Sequence, residues 1–421
     1  MKNIIIAGAG FAGLRAAQDL GSGLQQLGIE GFNVILVDQS DTHLYRADLY
    51  EVATAFNEEI NEECLTELKE TVATPIKKLI DGRNIEFVRA GIEEIRPKER
   101  LVVLANGSKL SYEYLVVALG SVTNYFGIPG LQEFGFPLKT IQDALAINCH
   151  LDQYFRTLWK SGEKRTVSIV VGGGGASGVE TAAELVHSLD RLCHKYGYHR
   201  GNVKIKLVEA GMSLAALDEV GTQLILDKFA KQGIEVHLGN RITSVNEKEI
   251  EVSDAEKRLG KLEADMVIWT GGVMVNPVVS AALGNAEKGG AVVVDEFLES
   301  VKFEGVYAAG DNVFFEDTAN VGKRLPMLAT TACRQGACVA HNILVDFCDD
   351  VKEPYIHKEA PYMVPVGGRH VVWKKDGKML AGRWIWLLRR LLTLRYFASI
   401  LPFGAALKNW LHGNKIFAKN D

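Results

Sequence analysis

Ile4-Ile5-Ile6-Ala7-Gly8-Ala9-Gly10-Phe11-Ala12-Gly13 opens the chain, and Val167-Ser168-Ile169-Val170-Val171-Gly172-Gly173-Gly174-Gly175-Ala176-Ser177-Gly178 repeats its pattern roughly 165 residues later. Each is an apolar run, a glycine-rich turn and then helix-forming sequence, Leu14–Leu20 after the first and Glu180–Leu185 after the second. That context separates a dinucleotide-binding fingerprint from a chance match. The first glycine (Gly8, Gly173) makes the tight turn. The second (Gly10, Gly175) lets backbone, with Phe11 and Ala12 in the first copy, approach a pyrophosphate. The third (Gly13, Gly178) lets helix pack on strand, and the helix N-terminus faces the anion. The spacing is too long for one βαβ unit and suits two. Two such sites in one chain suggest electrons passing between two dinucleotides.

A second strand in each unit should end in an acid that bonds a ribose diol. Val34-Ile35-Leu36-Val37-Asp38 and Val203-Lys204-Ile205-Lys206-Leu207-Val208-Glu209 both fit. Each acid has a plainer reading as a strand-end charge, but its position after strand, turn and helix favours the ribose. An acid there disfavours the extra phosphate of NADPH, so NADH is expected. Tyr114–Ser121 is a buried strand ending at Gly120, and Met266-Val267-Ile268-Trp269-Thr270-Gly271-Gly272 is its counterpart in the second unit. Gly305–Asp311 repeats strand, glycine and acid; it is expected to return to the first domain and place Asp311 at the first cofactor. The charged stretch Glu247–Lys261 is expected to be a solvated hairpin.

At 421 residues the chain has room for two or three domains. A net charge of −5 gives no reason to expect nucleic acid as a partner. The six cysteines form no CxxC pair and no metal-ligand cluster, so a reducing compartment and no metal are expected. Met1 runs straight into the first strand, which leaves no expected signal peptide.

With these motifs in place, the sequence resembles the two-dinucleotide-domain, glutathione-reductase-like flavoprotein reductases from Met1 to about Asn342. Within them it looks most like the type II NADH dehydrogenases. His43–Thr54, Asn124–Gly127, Pro137–Thr140, and Trp269–Val273 with Asn276-Pro277 carry that likeness. The resemblance implies an α/β fold with two Rossmann-like domains, the second inserted in the first: FAD in 1–120 and 290–345, NADH in 165–285. It implies FAD as the first nucleotide, with Asp311 on its ribityl chain, and NADH as the second. It also implies a role for Glu180 near nicotinamide and flavin, although a carboxylate in the first turn of a helix is favoured by the dipole in any case. The disulfide reductases of this group carry a CxxxxC pair after the second strand; here Asp41–Asn61 has no cysteine. Cys333 and Cys338 have that spacing but, five apart on a helix, point about 140° apart, and are expected to be packing residues. The same absence argues against sulfide:quinone reductases. The type II dehydrogenases carry Ala-Gln-x-x-x-Gln at the quinone site. Thr330 and Arg334 occupy the two glutamine positions here, which departs from the pattern, and Gln335 is expected at the surface.

Gly382–Leu401 is strongly apolar, rich in tryptophan, and studded with arginine without acid; Pro402 interrupts it before Phe403–Leu411. Its longest charge-free run is too short to span a bilayer, which takes about 20 apolar residues. Helices lying in the interface, arginines toward headgroups, fit better. Packing on the core or on a homodimer partner is the alternative. Region 355–421 is therefore set apart as membrane-associating, with Val364–Val372 helping to cap the flavin. The expected protein is a peripheral enzyme on the cytoplasmic side of the cell membrane, passing electrons from NADH through FAD to a quinone without pumping protons. The rival readings are a soluble NADH-dependent reductase of a small redox protein and a low-turnover redox sensor.

Overall fold

The computed structural model describes residues 1–316, 324–348, 350–375 and 377–418. They form two compact units. The first gathers Met1–His43, Thr74–Val122 and Val273–Ala360; the second gathers Leu44–Ala73, Thr123–Gly272 and Pro361–Asp421. In chain order, the elements that matter begin with β1 (Lys2–Ala7), α1 (Phe11–Gln26), β2 (Phe32–Asp38), α2 (Leu49–Thr54), β3 (Ile85–Arg89), β4 (Tyr114–Val117) and β5 (Gly135–Pro137). There follow α3 (Ile141–Ser161), β6 (Val167–Gly172), α4 (Ala176–Tyr196), β7 (Val203–Glu209), β8 (Ile234–Leu238), β9 (Met266–Trp269), β10 (Val306–Ala308) and α5 (Ala329–Val345). A small antiparallel sheet, β11 (Tyr362–Pro365), β12 (Val371–Lys375) and β13 (Lys378–Gly382), precedes α6 (Arg383–Ile400) and α7 (Phe403–Phe417).

The first unit holds a parallel sheet in the order β10-β4-β1-β2-β3. Ile4, Ile5, Ile6 and Ala7 are fully buried, as a strand covered on both faces requires, and this is why β1 is a continuous apolar run instead of an alternating one. The second unit repeats the arrangement as β5-β9-β6-β7-β8. Both share the three-two-one-four order of a Rossmann sheet, with the switch point between the first and fourth strands. They differ in the fifth strand. The first unit takes β10, which follows in sequence; the second takes β5, which precedes its own first strand.

Strands Glu249–Ser253 and Leu259–Glu263 pair antiparallel, as the hairpin expectation required. The C-terminal stretch does not stand apart. Residues from Pro361 onward belong to the second unit, because Val364, Val366, Val372, Ile416 and Phe417 are part of its core.

Candidate functional site

The first unit builds one nucleotide cradle. Gly8 sits at φ +104°, and a Cβ there would strike the backbone at Ala118, the turn after β4. A Cβ on Gly13 would run into the Gly8 carbonyl oxygen, whereas one on Gly10 would meet open space. The turn is thus closed where strand and helix meet and open at Gly10, where the sequence leads us to expect a pyrophosphate. Phe11 and Ala12 begin α1 at that open side. Asp38, at the end of β2, accepts from Ala9 N at 2.7 Å and Ser40 N at 2.8 Å. Gly120 follows β4 at φ +73°. Beyond β10, Asp311 accepts from Ser121 Oγ at 2.5 Å. The preceding Gly310 N donates to Gln335 Oε1 at 2.8 Å. Gln335 is therefore not a surface residue: it is 2 % exposed and fixes the turn that carries Asp311. The helical phase of α5 explains the difference. Thr331 and Gln335 face the pocket beside Asp311, and Thr330 and Arg334 lie on the exposed side. The Arg334 guanidinium donates to the Lys358 carbonyl.

The second unit builds the same cradle again. Gly173 sits at φ +105° against Thr270 and Gly271, a Cβ on Gly178 would run into the Gly173 carbonyl, and Gly175 faces open space. Glu209 accepts from Gly174 N at 2.5 Å and Gly211 N at 2.6 Å. Thr270 Oγ1 donates to the carbonyls of Gly172 and Gly173 at 3.0 Å each. Gly272 lies under the ring of Phe126, and Trp269 Nε1 donates to Asn124 O at 2.9 Å. The separate stretches Asn124–Gly127 and Trp269–Gly272 thus meet. A cavity of about 460 Å³ is lined by Met212, Ser213, Leu226 and Leu238 among others, within the size range of small-molecule pockets.

On the first turns of α4, Glu180 is 8 % exposed. It belongs to a buried charge cluster. Arg389 of α6 lies 3.0 Å from Asp48, 3.9 Å from Glu180 and 4.0 Å from Glu51. Its neighbour Arg390 lies 2.7 Å from Glu51 and 3.9 Å from Asp48. Asn148 of α3 donates to the Val52 and Ala55 carbonyls at 3.2 and 2.7 Å, pinning the end of α2 that carries Glu51. Burial pushes the Glu180 carboxyl up, Arg389 pulls it back, and Asp48 and Glu51 push it further, leaving it at about 8. Burial likewise raises Glu51, against the pull of Arg390. Breaking a buried pair of this kind costs about 3–5 kcal/mol.

This cluster reverses the expected polarity of α6. Arg389 and Arg390 do not reach for headgroups: they are 8 % and 5 % exposed. Trp384, Leu387, Leu388, Leu391 and Leu392 face outward instead, Trp384 being 65 % and Leu387 54 % exposed. Their spacing of three and four puts them on one helix face. Trp410 Nε1 donates to the Arg390 carbonyl at 2.7 Å, and Tyr45 stacks on Tyr396 with ring centroids 5.1 Å apart. Both contacts hold α6 inward-side-in.

A family model for pyridine nucleotide-disulphide oxidoreductases matches residues 2–336. The chain belongs to that family. Like its fellow members it is an oxidoreductase, and its cofactors are FAD and NADH. The type II NADH:quinone oxidoreductase of Staphylococcus aureus is 26 % identical over 411 residues, covering 97 % of this chain and 98 % of that one. An NDH2 of Plasmodium falciparum, solved in complex with NADH, superimposes with a TM-score of 0.83 at 16 % identity, covering 99 % and 98 % of the two chains. The sulfide:quinone oxidoreductase of Aquifex aeolicus has the same fold, with a TM-score of 0.76 at 17 % identity over 95 % of this chain and 91 % of that one. This pyridine nucleotide-disulphide oxidoreductase departs from the disulfide chemistry in the family's name. None of the six cysteines is in a disulfide. Cys333 donates to the Phe11 carbonyl and Cys338 to the Glu353 carbonyl, and burial pushes both thiols up to about 11. Thiolate is the reactive form, so neither is poised for redox work.

The charge cluster is what sequence reasoning missed. Its signal was present: two adjacent arginines inside an apolar stretch, with the leucines in phase on the opposite face. Asp48 and Glu51 lay within His43–Thr54, but only the fold brings them to Arg389.

Proposed function

We propose that this protein oxidises NADH and reduces a membrane quinone through FAD, as a peripheral membrane enzyme on the cytoplasmic side. The outward apolar face of α6 carries the reading. A soluble surface has no reason to present Trp384, Leu387, Leu388, Leu391 and Leu392 together while burying two arginines; a lipid surface does. Arg383, Arg395, Lys408 and Lys415 are exposed around that face, where anionic headgroups would meet them, and no acid occurs from Gly377 to Ala418. Among the described residues no helix is long and apolar enough to cross a membrane.

The first cradle is the FAD site. Gly8, Gly10 and Gly13 shape the pyrophosphate turn, Asp38 meets the adenosine ribose, and Gly120 and Asp311 hold the ribityl side. The second is the NADH site, with Gly173, Gly175 and Gly178 at the pyrophosphate. There Glu209 meets the ribose and rejects a 2′-phosphate, and Gly271 and Gly272 flank the nicotinamide half. When bound, the flavin supplies the two-electron chemistry that takes hydride from NADH and hands electrons to the quinone. The chain's own work is alignment, exclusion of water and handling of the proton, for which Glu180 is the catalytic candidate. Thr330 and Arg334, at the family's two glutamine positions, lie on the exposed side of α5, with the Arg334 guanidinium on the Lys358 carbonyl, so a quinone that used them would approach from that side.

The test is NADH oxidation by purified holoenzyme with short-chain ubiquinone, menaquinone and naphthoquinone analogues, with and without liposomes. Quinone-dependent turnover and co-sedimentation with lipid are expected. Turnover with no quinone sinks the reading. A protein that stays in the supernatant and elutes as a dimer assigns the α6 face to a second copy instead.

A further inference from the structure

The buried cluster contains three carboxylates, Asp48, Glu51 and Glu180, and two guanidiniums, Arg389 and Arg390. With every group ionised it carries one uncompensated negative charge, which a buried site does not sustain without a partner. Geometry says which acid takes up the difference. Asp48 lies 3.0 Å from a guanidinium nitrogen and Glu51 lies 2.7 Å from one. Glu180 comes no closer than 3.9 Å. Arg389 also keeps a spare donor: its Nη1 has no hydrogen-bond acceptor among the described residues. The cluster is thus balanced with one proton, and has a donor free to receive Glu180 once that proton leaves.

We propose that Arg389 and Arg390 are positioning residues of the redox reaction: together they hold one exchangeable proton in the Asp48–Glu51–Glu180 cluster and assign it to Glu180. This rests on the NADH:quinone reading. Hydride from NADH brings two electrons and one proton. A quinone needs two of each to become a quinol, so one further proton must come from outside the hydride. Glu180 gives that proton and recovers it from water. Arg389 stabilises the carboxylate in the interval, and Arg390 keeps Glu51 ionised so that the proton does not settle there. The groups facing Glu180 are Asp48, Tyr50 and Glu51 from the segment around α2, Tyr362 from β11, and Arg389 from α6. The phenols stay neutral, since burial raises both Tyr50 and Tyr362. Helix α6 therefore has two faces with two duties, lipid outside and proton balance inside.

The experiment is a pH titration of the holoenzyme by infrared difference spectroscopy, following the carbonyl band of a protonated carboxylic acid. The pH profile of NADH:quinone kcat/KM is measured alongside. Wild type is expected to lose one such band on raising the pH, and Glu180→Gln to lack that titration. Arg389→Met should move the midpoint up, and Asp48→Asn should move it down, each by about one unit or more for loss of a charge at this range. Arg389→Lys should restore it to within about half a unit. Should Arg389→Met fail to fold, Asp48→Asn and Arg389→Lys carry the test. A midpoint that ignores these substitutions overturns the proposal, as does a titrating band that survives in Glu180→Gln. A merely structural role for Arg389 would lower activity and leave the midpoint in place. The infrared arm needs no quinone, so a protein without quinone turnover sinks the functional reading separately.

Discussion

The two nucleotide cradles have almost the same backbone and different surroundings. In both, the third glycine cannot hold a Cβ because the first glycine's carbonyl occupies the space, and in both the second glycine faces open space. In both, a carboxylate at the end of the second strand ties down the turn, Asp38 in one unit and Glu209 in the other. The first cradle is then closed by fixed groups: Ser121 on Asp311, Gln335 on Gly310 and the Arg324 guanidinium on the Asp311 carbonyl at 2.5 Å. The second has on the first turns of its helix a buried acid, Glu180, which burial pushes up and Arg389 of α6 pulls back. One turn geometry is thus reused, and under the proposed function its surroundings separate a held cofactor from an exchanging one.

Substitutions at matching positions separate the two. Gly13→Val and Gly178→Val introduce the same clash, and their effects are expected to be the largest. The first should yield protein without bound FAD, read from its absorbance. The second should retain FAD and raise KM for NADH by about two orders of magnitude, since each tenfold needs only about 1.4 kcal/mol. Equal flavin loss in both would end the distinction. Asp38→Ala and Glu209→Ala should follow the same split more weakly: flavin affinity falls in the first, whereas the second raises KM for NADH about tenfold and narrows the preference over NADPH.

The acid beside the second cradle makes that unit pH-sensitive. A carboxyl raised from 4.5 to about 8 binds its proton more tightly in the folded state than in the unfolded one. Its contribution is therefore favourable below the unfolded value and is lost as pH rises from 4.5 through about 8. Glu180→Gln should flatten the fall in thermal stability across that window, a difference of a few kcal/mol at about 1.4 kcal/mol per unit. A fall equally steep in the variant would place the sensitivity elsewhere. Smaller still should be the effect of Leu387→Glu with Leu391→Glu on turnover with a water-soluble quinone, within about twofold, since surface changes of this kind are worth about ±0.5 kcal/mol. The same double variant should no longer co-sediment with liposomes.

Much of this was legible from residues. The paired turns, the strand-end acids and the return of Gly305–Asp311 to the first sheet follow from local patterns with a fixed meaning: an apolar run, a glycine that cannot be replaced, a helix start. The orientation of α6 was only half legible: the phase of its leucines shows one apolar face, but not what the arginines opposite them meet. Arginine in an apolar helix suggests headgroups, and only three carboxylates arriving from α2, its preceding turn and α4 turn two arginines inward. Gln335 was misplaced for a related reason. One step in helical phase separates a buried side chain on Gly310 from an exposed one, and nothing local to Thr330–Gln335 fixes that phase.

The most direct test of two dinucleotide sites working in series is an anaerobic titration of the flavin-loaded protein with NADH, followed by a quinone analogue. One equivalent of NADH should bleach the flavin absorbance, and the quinone should restore it. A flavin that stays oxidised under excess NADH, or that a quinone cannot reoxidise, would contradict the account.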